Sequence, residues 1–172
     1  MKRGFSLIEL IVSVVIISLV SGGALVYLNK FNSRQKLEKG KDEVVAAIKM
    51  IQSSAKGRQL PNGSTLSELI FIQLYSPIIG GVRYLKADAN NVGDQIYYRK
   101  SVTELGVDVN TDQPFIYFWA GSGRLAKNGT DDFYGENETA KITVTHSAEI
   151  NERYEIIINA MGQIKEVNYY EN

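Results

Sequence analysis

Residues 5–28 form an apolar run interrupted by a single charge, Glu9, and no other feature limits so strongly what this chain can fold into. As a helix the run rises about 36 Å, at about 1.5 Å per residue, against a hydrocarbon core about 30 Å thick. It is long enough to cross a bilayer. A carboxylate inside such a span costs about 2.5 to 3.5 kcal/mol on insertion scales, so Glu9 demands a partner or a role. Lys2 and Arg3 precede the run, and Lys30, Arg34, Lys36, Lys39 and Lys41 follow it. With cations at both ends, charge counting does not orient the span.

Beyond the run the pattern stays helical but becomes two-faced. Leu37, Val44, Ile48, Ile51 and Ala55 recur at intervals of seven, four, three and four, with charges between them, which places one apolar stripe on a helix. The span is therefore expected to continue as one long helix whose second part lays this stripe on a folded domain, ending at Gly57 and the Pro61-Asn62-Gly63 turn. Gly22, Gly23 and Gly40 read as weak points in it, each costing up to about 1 kcal/mol relative to alanine.

From Leu66 the chain changes to short β-branched and aromatic runs separated by turn residues. Strands are expected at 69–75, 95–99, 115–120, 141–146, 154–159 and 164–170. Ala160-Met161-Gly162-Gln163 reads as the turn of an antiparallel hairpin, and residues 128–132 read as a loop. The fold class is α+β, a long N-terminal helix packed on a C-terminal antiparallel β-sheet domain. About 115 residues remain for that domain, enough to bury its own core. Lys plus Arg and Asp plus Glu number 19 each, so no net charge steers the chain to nucleic acid or acidic surfaces. The absence of cysteine excludes disulfides, thiol catalysis and cysteine metal sites.

Gly4-Phe5-Ser6-Leu7-Ile8-Glu9-Leu10 closely resembles the processing site of type IV pilins and type II secretion pseudopilins. The resemblance implies that a membrane-embedded prepilin peptidase cuts between Gly4 and Phe5 and N-methylates Phe5. It implies that Glu9 pairs with the N-terminal amine of a neighbouring subunit during assembly, and that the domain lies outside the cytoplasmic membrane before entering a filament. The implied partners are other pilin or pseudopilin subunits, the peptidase, an inner-membrane assembly platform and membrane lipid. The implied segments are a leader at 1–4, a membrane and filament-core helix at 5–28, an amphipathic helix at 29–57 and a β-rich domain at 58–172. Phe115-Ile116-Tyr117-Phe118 before Gly121-Ser122-Gly123-Arg124, and Tyr154-Glu155-Ile156-Ile157-Ile158 before Gly162-Gln163-Ile164, resemble the strand, glycine turn and final hairpin of H-type minor pseudopilins and related minor pilins.

Two other readings compete. An ordinary secretory signal would be cut near Ser21-Gly22-Gly23-Ala24, but the helical pattern continues past that point. A plain anchor for a secreted binding domain explains the length but not Gly4 or Glu9.

No enzyme is expected. His146, the only histidine, has no nucleophile or metal-ligand spacing around it. Asp131, Asp132 and Glu136, with Glu138, Asn128 and Asn137 nearby, gather oxygen ligands of the kind calcium takes, in a spacing that matches no EF-hand. No other cofactor is expected. DNA is not expected as a partner either: Lys165 stands beside Glu166, whereas phosphate binding calls for clustered cations. The tyrosine pairs 97–98 and 169–170 are expected to place one ring in the core and one on the surface. The sequons at Asn62, Asn128 and Asn137 mark expected surface turns.

Overall fold

The computed structural model describes residues 6–60, 70–89, 96–146 and 151–171; Gly4, Phe5 and the Pro61-Asn62-Gly63 turn lie outside them. Among the described residues one helix, α1 (Leu7–Gly57), is followed by ten strands. The chain divides into two compact units, Met1–Gln35 and Lys36–Asn172.

In the first unit none of the described side chains of α1 is buried. Leu7, Leu19 and Val20 are 78%, 73% and 68% exposed, and the other large apolar side chains described up to Phe31 are exposed as well. Ser6 begins the helix by accepting hydrogen bonds at its carbonyl from the Glu9 and Leu10 amides. The hydroxyls of Ser13 and Ser18 donate to the carbonyls of Glu9 and Val14, four residues back. Such bonds satisfy these polar groups within the helix, as an apolar surrounding requires.

The second unit contains the rest of α1 and two antiparallel sheets. One sheet has the order β2 (Ile78–Ile79), β3 (Val82–Ala89), β1 (Phe71–Tyr75), β6 (Ile116–Trp119), β7 (Leu125–Ala126), with β4 (Ile96–Ser101) also paired to β3. The other runs β10 (Ile164–Glu171), β9 (Glu152–Asn159), β8 (Thr139–His146), β5 (Val107–Thr111). The expected helix and antiparallel β-region are both present. Sequence reading missed β2, β3, β5 and β7. In β3 the side chains of Leu85, Ala87 and Ala89 are buried while charged Lys86 and Asp88 intervene.

One hydrophobic cluster joins Leu37, Val44, Ala47, Ile48, Ile51 and Ala55 of α1 to residues of both sheets, among them Ile72, Leu74, Phe118, Ile142 and Ile156. All five stripe residues read from sequence are buried to within 1%. The seven-residue gap in that stripe is closed by Gly40, which is a contact rather than a weak point. A Cβ there would lie 2.8 Å from Val107 Cγ2 and 3.0 Å from Cγ1, so the missing side chain lets the helix backbone approach β5.

The helix ends at Gly57, but the left-handed residue is Arg58, at φ 49°. The amides of Arg58 and Gln59 donate to the carbonyls of Ala55 and Ser54, a Schellman arrangement. The Gly121 amide, from the turn between β6 and β7, donates to Ala55 O at 2.7 Å. Gln52 Nε2 donates to Met161 O in the last hairpin. That hairpin forms where expected. Asn159 Oδ1 accepts from the Met161 and Gln163 amides, both at 3.0 Å. Gly162 adopts φ 74°, and a Cβ on it would collide with Gly123 O.

Gly40→Val is expected to destabilise the protein by about 1 to 3 kcal/mol through overpacking, despite the gain in helix propensity. The companion change Val107→Ala should recover part of the loss. Urea unfolding of the detergent-solubilised chain, followed by fluorescence of its single tryptophan, Trp119, measures both.

Candidate functional site

The functional features read from the sequence gather at the start of α1, where Glu9 stands exposed in the first helical turn. The helix N-terminus carries partial positive charge that favours a carboxylate there, but the surrounding apolar side chains supply no cation. In water the described apolar side chains of this surface, among them Leu7, Leu19, Val20 and Leu28, would be wet. In a bilayer, or a bundle of similar helices, only Glu9 would remain to be satisfied. Among the described residues α1 is the one helix long and apolar enough to cross a membrane.

The other candidates fall apart in space. His146 ends β8, buried, opposite Val107 of β5. Among the described residues no three His, Cys, Asp or Glu side chains converge in a metal-binding arrangement. Asp131, Asp132 and Glu136 are all exposed, and their loop is organised instead through Glu138. Glu138 accepts from Lys127 Nζ and from the Gly135 amide, at 2.6 Å. These contacts hold the Glu138 carboxyl below its usual range and raise the Lys127 ammonium. The calcium expectation thus finds no built site in this geometry. Lys165 Nζ lies 3.8 Å from Glu166 Oε1, and Asn168 Nδ2 donates to the other Glu166 oxygen.

The tyrosines differ from the expected one-in, one-out pattern. A bulge between Ala87 and Asp88 in the pairing of β3 with β4 breaks the alternation, and both Tyr97 and Tyr98 pack against the core. Burial pushes the Tyr97 hydroxyl up to about 12. Tyr98 is raised by burial and by Glu43, whose Oε2 accepts from its hydroxyl at 2.8 Å. Lys100 donates to the other Glu43 oxygen at 2.8 Å, and the bonds from Lys100 and Tyr98 lower the Glu43 pKa. Tyr169 and Tyr170 both remain partly exposed: Tyr169 meets the Tyr154 ring at 5.1 Å, and Arg153 lies 5.0 Å over Tyr170.

Sequence reading also missed what the outer face of the larger sheet carries. Register places Phe71, Gln73 and Tyr75 beside Tyr117, Trp119, Lys86 and Asp88. Lys86 donates to both Tyr75 and Asp88, and Gln73 donates to Asp88. Next to them Phe115, Tyr117 and Tyr134 line a cavity of about 430 Å³ edged by Gln113, Lys127 and Glu138. The signal was the period-two aromatic series 115, 117, 119, which alternates with the buried Ile116 and Phe118.

Residues 1–25 match the family described as the prokaryotic N-terminal methylation motif, the signature of type IV pilins and pseudopilins. No curated protein matches the chain, and no solved structure does. The motif, with the apolar helix it overlaps, fits a single-pass, pilin-like membrane anchor.

The Glu43 contacts make a pH prediction. Because its folded pKa is lowered, Glu43 contributes stability that is full above the ordinary carboxylate value of about 4.3 and is lost as pH falls through the lowered value. The thermal midpoint should therefore drop between about pH 5 and pH 3. Glu43→Gln should flatten that drop by about 1 to 3 °C, a modest effect for a partly solvated pair. Circular dichroism melts across that range measure it.

Proposed function

We propose that this chain is a structural subunit, of the minor kind, of a type IV pilus or of a type II secretion or competence pseudopilus. Prepilin peptidase cuts it between Gly4 and Phe5 and methylates Phe5, and the N-terminal helix then carries it into a filament. The observation that carries the reading is the methylation motif at residues 1–25, which overlaps the start of α1, where the described apolar side chains up to Phe31 are exposed and Glu9 is the one carboxylate. The minor assignment rests on the β-region resemblance, supported by the turn at Gly121 and Gly123 after β6 and by the β9–β10 hairpin.

The chemistry follows from cost and pairing. Cleavage after Gly4 would create an amine at Phe5, four residues and about one helical turn from Glu9. Opposite charges about 4 Å apart attract by about 4 kcal/mol at an effective dielectric near 20, before desolvation is subtracted. A Glu9 carboxylate in lipid is thus a strained ground state that the amine of an adjacent subunit relieves, which sets register as well as affinity. Residues 1–4 act as leader, 5–28 as membrane and filament core, 29–57 as the amphipathic continuation and 58–172 as the β-rich domain on the non-cytoplasmic side. The partners are other subunits, the peptidase, the inner-membrane assembly platform and membrane lipid.

Mass spectrometry of protein recovered from its host membranes and sheared surface material should find N-methylated Phe5 as the first residue. An N-terminus at Ala24 would instead identify an ordinary secreted domain and sink the proposal. Replacing Gly4 with a bulky residue should abolish maturation, and Glu9→Ala should reduce incorporation beside wild-type partners by at least about tenfold, the equivalent of losing about 1.4 kcal/mol of net pairing.

A further inference from the structure

Where the apolar run ends, Tyr27, Lys30, Phe31 and Arg34 follow at intervals of three, one and three residues, so all four share one face of α1. Together they line a shallow cavity of about 190 Å³ on the helix surface. Tyr27 is 73% exposed and Phe31 48%. Sequence position sets their surroundings. If α1 crosses a bilayer from residue 5 onward, this face emerges at headgroup depth, where amphipathic rings settle and long cationic side chains reach out of the hydrocarbon.

Lys30 and Arg34, four residues apart on one face, lie close enough to reach a single anion. Arginine offers a planar fork and lysine a point charge to phosphate oxygens, while the two rings flank the acyl boundary. A soluble phosphate would use the cations and leave the rings wet, whereas a phospholipid uses both. A zwitterionic headgroup brings its own ammonium, which Lys30 and Arg34 repel.

We propose that Tyr27, Lys30, Phe31 and Arg34 form a headgroup site for an anionic phospholipid, held through its phosphate, that fixes the depth of α1 in the bilayer. The inference rests on the reading of α1 as a membrane span. It adds a lipid class and named residues to that reading.

The test uses the full chain reconstituted into phosphatidylcholine vesicles, with spin-labelled phosphatidylglycerol or spin-labelled phosphatidylcholine as the probe. Electron paramagnetic resonance reads the fraction of each probe immobilised by protein. The wild-type chain should prefer phosphatidylglycerol, and Lys30→Gln and Arg34→Gln should each lower that preference by up to about fivefold, the value of one cation near an anionic surface. Lys36→Gln, on the opposite face of the helix, should leave it unchanged. An equal loss in Lys36→Gln, or no preference in the wild type, overturns the site. Displacement of the lipid probe by aqueous glycerophosphate overturns the choice of a lipid ligand. Carbonate extraction of the same vesicles separates the two claims. A chain that washes off overturns the membrane span and this site with it; a chain that stays but shows no preference overturns the site alone.

Discussion

The described apolar side chains of the first part of α1 are exposed, and that constraint governs the reading of the molecule. Side chains such as Leu7, Leu19 and Val20 are exposed on every face of the helix, which water does not tolerate at this scale. Only a hydrocarbon layer or a bundle of equivalent helices satisfies them. Both environments make a lone carboxylate expensive, which is why the proposed assembly role falls on Glu9. A helix tolerated by lipid but completed by a neighbour is suited to moving from one to the other.

The second unit can fold without that help because it has a core of its own. Its organising element is the stripe from Leu37 to Ala55, against which residues of both sheets close. No disulfide contributes, since the chain has no cysteine, and the turns are set by local chemistry such as the Asn159 side chain and the conformation of Gly162.

The parts legible in the sequence are those where a strong period or a rigid turn speaks for itself. The stripe at 3.6-residue spacing placed Leu37, Val44, Ile48, Ile51 and Ala55 correctly, and the glycine after Met161 announced the final hairpin. What stayed hidden depends on distant partners. Gly40 reads as a flaw until Val107, far along the chain, is seen against it. β3 carries charged residues on its outer face because Lys86 and Asp88 satisfy each other and Tyr75 there. The bulge that turns both Tyr97 and Tyr98 inward is a property of the β3–β4 pairing, not of either residue. At the functional end, the motif around Glu9 was legible because residue types alone carry it. In the acidic loop composition gathered Asp131, Asp132, Glu136 and Glu138 together, and only the fold shows Glu138 bonded to Lys127 and the Gly135 amide.

The way the second unit holds its helix has a mechanical consequence. From Leu37 to Ala55 the buried side chains lie along the helix, and the C-terminal end is tied by the bond from the Gly121 amide to Ala55 O and by Gln52 to Met161 O. A pull along the helix axis would therefore load these contacts in parallel, as shear, rather than peel them one after another. Under force the lifetime of such an attachment follows the unfolding rate rather than the equilibrium stability, and a barrier that requires many contacts to slip together is high. The edge strand β10 has the opposite geometry, paired on one side only to β9, and would yield to a sideways pull far sooner. The domain is thus anisotropic: stiff along its helix and compliant at its last strand.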